Sequence, residues 1–176
     1  LDGTSFSACT SPVQFTSANL LDGTHSFMVI AQDKVGNMMT TPVLFNWTVD
    51  TLPPTTAINT AIDGNNGTLV SGNSTMSTSM AFTFSGNDRG LNENNGVGIK
   101  QIECSIDNSN FTACVSPVEI TPDTLTDGNH SFKIKAEDNV GNMNPEPASF
   151  SWTIDTVSPT TIINSAIDGN NSTITN

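Results

Sequence analysis

Chemistry in this chain would have to come from two histidines, three cysteines and a set of Asp- and Asn-rich loops. His25 and His130 each follow an Asp-Gly-x turn and open a run of alternating apolar residues. A general base needs a nucleophile or a second catalytic group beside it, and neither histidine has one in the sequence around it. A structural hydrogen bond at the corner of a sheet suits that place better. No nucleophile elbow, HExxH zinc helix, phosphate loop or dinucleotide fingerprint occurs. The chain therefore reads as no enzyme, with no catalytic residues and no required cofactor.

Cys104 and Cys114 lie ten apart in CSIDNSNFTAC, at the two ends of an expected hairpin. They read as a structural disulfide formed in an oxidising compartment. Zinc is the weaker alternative, because two cysteines without nearby histidines supply too few ligands. Cys9 occupies the place of Cys114 in an earlier unit, and its partner would fall two positions before Leu1.

The acidic loops have two readings. Calcium takes six to eight hard oxygen ligands, which Asp, Asn and backbone carbonyls provide. In a two-sheet sandwich, the loop after the second strand and the last hairpin turn share the end that meets the preceding linker. That brings Asp88 and Glu93, the turn from Asp138 to Asn142, and Asp50 of the preceding unit to one junction. Asp50, Asp88, Asp138 and Asn142 are the candidate ligands, and calcium at that point would neutralise carboxylates and stiffen the joint. The alternative is that Asp138-x-x-Gly-Asn is only a tight turn, its Asp bonded to its own backbone and Gly141 at positive φ.

These loops are positioned by a unit that repeats. A shift of 105 residues lays 1–71 over 106–176 without a gap, and 38 of the pairs are identical. One folded unit used in series accounts for a period this clean. The register makes 1–51 the second half of one repeat, 52–156 a complete repeat and 157–176 the start of a third, so the chain reads as a piece of a longer array. Within the complete repeat, Thr55–Ile62 and Met80–Phe84 read as strands, the latter with Met80, Phe82 and Phe84 alternating with polar or small neighbours. Ile102, Cys104 and Ile106 share one face of a third strand, and Val118–Thr121 forms a short one. Phe132, Ile134 and Ala136 alternate with Lys133, Lys135 and Glu137, and Phe150, Trp152 and Ile154 with Ser149, Ser151 and Thr153. Such alternation marks strands wet on one face only. About seven short strands and no helical spacing predict an all-β, two-sheet antiparallel sandwich. Its expected core is Phe82, Phe84, Phe132, Ile134, Phe150 and Trp152. Pro53 and Pro54 make the preceding linker short and stiff.

The motifs C-S-[IL]-D-x-x-x-F-x-x-C-x-S-P, L-x-D-G-x-H-x-F-x-[VI]-x-A-x-D-x-x-G-N and W-T-[VI]-D-T-x-x-P-T-T together resemble the prokaryotic immunoglobulin-like repeats of large surface adhesins and secreted multidomain proteins. The resemblance covers Cys104–Thr161 closely, and Leu1–Thr56 apart from the first cysteine. It implies an immunoglobulin-like sandwich and a rod of tandem domains at the cell surface or outside the cell.

The formal charge of −12, from 17 acidic and five basic residues, argues against nucleic acid and anionic membranes as partners. No apolar run approaches the roughly 18 residues of a membrane-spanning helix. Asn-x-Ser/Thr occurs at Asn46, Asn66, Asn73, Asn110, Asn129, Asn170 and Asn171, close to the chance frequency for so much Asn, Ser and Thr. The expected function is a structural spacer in an extracellular adhesin-like protein, its partners the neighbouring repeats of its own chain. The alternatives are a module binding a surface glycan or protein ligand, and a stalk carried by a secreted enzyme. Exposed aromatics would favour the binding module, yet every Phe and both Trp fall at positions expected to be buried or in hairpins.

Overall fold

The computed structural model describes residues 1–16, 20–90, 96–122, 124–167 and 169–174. Strands dominate, in the order β1 (Gly23–Val29), β2 (Val43–Val49), β3 (Thr55–Asp63), β4 (Ser74–Thr75), β5 (Met80–Asn87), β6 (Ile99–Ile106), β7 (Thr112–Ala113), β8 (Val118–Ile120), β9 (Gly128–Asp138), β10 (Ala148–Ile154), β11 (Ala166–Ile167) and β12 (Thr173–Ile174). Among the described residues there is no helix, and so none long and apolar enough to cross a membrane.

Residues 55–154 form a two-sheet sandwich. One sheet has the order β3-β5-β8, the other β4-β10-β9-β6-β7. The period-two pattern of each strand turns one set of side chains inward, and the two inward sets meet. Phe82 of β5 stacks on Phe132 of β9 with ring centroids 4.3 Å apart, and meets Phe150 of β10 edge-on at 5.4 Å. Phe82, Phe84, Phe132, Ile134, Phe150 and Trp152 are all buried, as the alternation predicts. Cys104 and Cys114 are disulfide-bonded, their Cα atoms 5.8 Å apart, and the bond ties β6 to its edge partner β7.

Two expectations need correction. The sandwich is not wholly antiparallel, because β4 pairs parallel to β10. After the turn at 63–67 the chain leaves the β3 sheet and crosses to the edge of the other. There Gly72 N donates to Ser151 O at 2.7 Å and Asp155 N to Thr75 O at 3.0 Å. A two-residue strand is too short to show a period. The second correction concerns aromatics: Phe45 and Phe6 are 65% and 55% exposed. Phe45 is the counterpart of buried Phe150, but β1 and β2 form only a two-stranded sheet. Among the described residues no second sheet lies over it.

The chain enters the sandwich through a docked linker. Pro54 is fully buried, and the Asn142 side-chain amide donates to the Asp50 carbonyl at 3.0 Å and the Leu52 carbonyl at 3.4 Å. On the other side of the joint, Asp22 accepts hydrogen bonds from Thr51 N and Oγ1.

Candidate metal centre

Three elements bring their carboxylates together at the joint. Asp50 follows β2, Asp88 follows β5 and Asp138 ends β9. Each offers an oxygen, and these oxygens all lie within 4.8 Å of one another. Asp88 and Asp138 are buried, and Asp50 is half-buried.

The local chain sets each carboxylate differently. Asp138 opens a tight turn in which its Oδ1 accepts from the backbone N–H groups of Val140, Gly141 and Asn142 at 2.7–2.9 Å. Gly141 has φ +100°, a conformation that favours glycine. Asp138 Oδ2 accepts from Asn142 Nδ2 at 2.7 Å. Burial alone would raise the Asp138 pKa, but the donated bonds from Asn142, Val140 and Gly141 outweigh it and hold the carboxyl below its usual range. Asp50 Oδ1 accepts from Leu52 N and Oδ2 from Val97 N, each at 3.1 Å.

Asp88 is the incomplete member. Its Oδ2 accepts from Gly98 N at 2.7 Å, while its Oδ1 is buried with no hydrogen-bond partner. Burial pushes its pKa up, the Gly98 N–H partly offsets this, and the charges of Asp50 and Asp138 raise it further. Gly96 lies against this carboxylate, and a Cβ there would collide with it. Two like charges at this spacing repel by about 3–4 kcal/mol at the effective dielectric of a protein surface. A cation held among the three carboxylates would offset this repulsion. Calcium–oxygen distances of about 2.3–2.6 Å place ligands on opposite sides of one ion about 5 Å apart, which spans the observed separation.

Asn142 is at the site but in a different role from that of a ligand oxygen. Its Nδ2 faces two backbone carbonyls and the Asp138 carboxylate, so the amide donates and straps the linker to the turn. Glu93 lies outside the described residues. Sequence reasoning missed Val97, Gly98 and Gly96, whose backbone packs around Asp50 and Asp88; their signal was only a Gly-rich loop.

His130 stands near the start of β9, which Asp138 ends, whereas His25 lies on β1 opposite Trp47, three residues before Asp50. Each ring has both nitrogens on acceptors, an aspartate and a backbone carbonyl, so neither is placed to take a proton from a substrate. The partners Asp2 and Asp107 also escaped notice in the sequence. They lie 23 residues before their histidines, and their only signal is that each stands at the same place in its repeat.

The two-sheet sandwich of residues 55–154 is an immunoglobulin-like fold. Residues 10–86 match the family model described as Bacterial Ig-like domain (group 3). The matched window runs across the joint, from the second half of one 105-residue unit into the next. No curated protein matches the chain in sequence. Among solved structures, it is similar to the extracellular domain of a protein assigned as a one-component system of B. thetaiotaomicron, at 14% identity and a TM-score of 0.40, over 61% of this chain and 16% of that one. It is also similar to the extracellular domain of a protein assigned as a hybrid two-component system of the same organism, at 16% identity and a TM-score of 0.41, over 71% and 19%. The chain thus spans less than a fifth of either protein.

Proposed function

We propose that this chain is a non-catalytic spacer segment of an extracellular or cell-surface protein, built from tandem immunoglobulin-like repeats whose joints are stiffened by a bound divalent cation, calcium. The observation that carries this is the buried, unpaired Asp88 Oδ1 in a cluster that draws one carboxylate from the preceding repeat and two from the next. A cation there would bridge the repeats and hold the angle between them. The family match and the Cys104–Cys114 disulfide support a place outside the cell, where thiols are oxidised. The high content of surface Asn, Ser, Thr and acidic residues suits a soluble rod.

A thermal melt of at least two complete repeats, in millimolar calcium and then in chelator, tests the joint. Binding to the folded form alone adds about 2.7 kcal/mol at one hundred times the dissociation constant. The melting temperature should rise with calcium in the native sequence and stay unchanged in an Asp138→Ala variant. No rise in the native sequence would leave Asp138–Asn142 as a plain turn and the joint without a cation.

A further inference from the structure

In the complete repeat, His130 Nδ1 lies 2.8 Å from Asp107 Oδ2 and its Nε2 2.7 Å from the Thr126 carbonyl oxygen. In the preceding unit, His25 Nδ1 lies 2.8 Å from Asp2 Oδ2 and its Nε2 2.6 Å from the Leu21 carbonyl oxygen. An ionised carboxylate and a backbone carbonyl only accept. A neutral imidazole has one N–H and one lone pair, so either tautomer sets a nitrogen lone pair against an oxygen. Only the imidazolium, with two N–H groups, satisfies both neighbours. An indole ring flanks each one, Trp152 at 5.5 Å and Trp47 at 5.6 Å, and an aromatic face favours a cation. The same four-part arrangement occurs twice, 105 residues apart.

We propose that each repeat holds a resident imidazolium, His25 or His130, as a proton-dependent clamp that opens when the ring loses its proton. The clamp fastens two segments far apart in sequence. Asp107 lies in the turn after β6 at φ +50°, a conformation that aspartate tolerates better than most residues. Its Oδ1 accepts from Ser131 N at 2.8 Å, and its own N–H donates to Ser131 O at 2.9 Å. Asp2 repeats this pairing with Ser26, at φ +50°. Through the carbonyl of Thr126 or Leu21, the ring also holds the segment that leads into the long hairpin. Deprotonation therefore releases either the turn or the lead-in segment, and each repeat carries one such point.

The charges on the surrounding elements are mostly negative. Around His130 they are Asp107, Asp127, which is committed to Thr156 N and Oγ1, and Lys133, whose Nζ donates to Asn108 Oδ1 at 2.8 Å. Trp152 on β10 adds none. Around His25 they are Asp2, Asp22 and the amino group of Leu1. For His25, the Asp2 hydrogen bond and then the Leu21 carbonyl raise the pKa above its ordinary value of 6.5 against the opposing effect of burial. For His130, burial disfavours the charge, but the Thr126 carbonyl and Asp107 outweigh it, and the pKa is again raised. A group whose folded pKa exceeds its unfolded value stabilises fully below pH 6.5, and the contribution disappears as pH rises through the folded pKa.

Because the chain has only these two histidines, imidazole nitrogen-15 NMR reads them without ambiguity. Below the midpoint both nitrogens of each ring should carry protons, and both titration midpoints should lie above 6.5. In chelator, the melting temperature of the native chain should fall between pH 6 and pH 9, and a His25→Gln/His130→Gln double variant should lose that fall. The two proteins differ only at the two rings, so the difference isolates them. A midpoint at or below 6.5, or the same pH dependence in both proteins, would overturn the clamp. If the double variant fails to fold, the NMR titration alone decides. The midpoint of His130, near the start of β9 and so at the opposite end from Asp138, reads the clamp without the joint, so the clamp and the cation fail separately.

Discussion

Replacing Asp88 by Asn should change the stability of the joint in opposite directions with and without calcium. Asp88 is buried, one of its oxygens has no donor, and two further carboxylates lie within 4.8 Å. With no cation, the native protein must either tolerate two repulsive pairs, about 3–4 kcal/mol each if fully charged, or protonate Asp88, whose pKa its surroundings already raise. Protonation caps the penalty well below the full repulsion. An Asn keeps the acceptor for Gly98 N and turns an amide N–H toward Asp50 and Asp138, worth about 1 kcal/mol for each bond made. We therefore expect Asp88→Asn to be more stable than the native chain in chelator, by about 1–3 kcal/mol. For a unit of this size, each kcal/mol moves the melting temperature by about 4–8 °C. In millimolar calcium the order should invert, because the variant has lost a charged ligand. Differential scanning calorimetry of two complete repeats, in calcium and in chelator, gives both numbers. A variant less stable than native in chelator would refute the repulsion argument. Equal responses to calcium in the two proteins would remove Asp88 from the site.

Other consequences follow from the same packing. Thiol titration of the oxidised, unfolded chain should find about one free thiol, that of Cys9, since Cys104 and Cys114 are bonded; three would exclude the disulfide. A Cys104→Ser/Cys114→Ser variant should lose about 2.5–3 kcal/mol in a denaturant titration, the chain-entropy value for a loop of about 11 residues. Native-state hydrogen exchange should show stronger protection in 127–156 than in 22–51, because β9 and β10 pack on a second sheet while β1 and β2 form a two-stranded sheet with Phe45 exposed. Equal protection would mean that another element, a second copy included, covers β1 and β2.

The alternation of Phe132, Ile134 and Ala136 with Lys133, Lys135 and Glu137 makes the hairpin face legible, because side-chain direction in a strand depends only on parity. Parity does not say whether anything lies over that face. Phe45 alternates as regularly as Phe150, yet one is exposed and the other buried. The convergence of Asp50, Asp88 and Asp138 was legible for a similar reason: the order of strands in a sandwich decides which loops share an end. The role of Asn142 was not, because an amide donates or accepts according to what stands opposite, and two carbonyls of the linker stand there. The partners of the histidines were hidden by 23 residues of intervening chain, and β4 by its length.

The proposed cation joint would account for the use of such a repeat in series. Asp33 makes the same turn as Asp138, with Oδ1 accepting from Val35 and Asn37 N and Oδ2 from Asn37 Nδ2. Asp155 accepts from Val157 N as Asp50 does from Leu52 N. In the complete repeat, the residues at 88 and 138 would make an entry half-site, and Asp155, the counterpart of Asp50, an exit half-site. Neither half alone brings three carboxylates together. The linker from Asp50 to Thr55 holds the two halves in register, through buried Pro54 and the Asn142 strap. A single residue inserted there would shift Asp50 by about 3.3–3.6 Å, more than a calcium–oxygen bond length. Cation binding would then depend on linker length as strictly as on ligand identity, and the stiffness of an array on every joint keeping it.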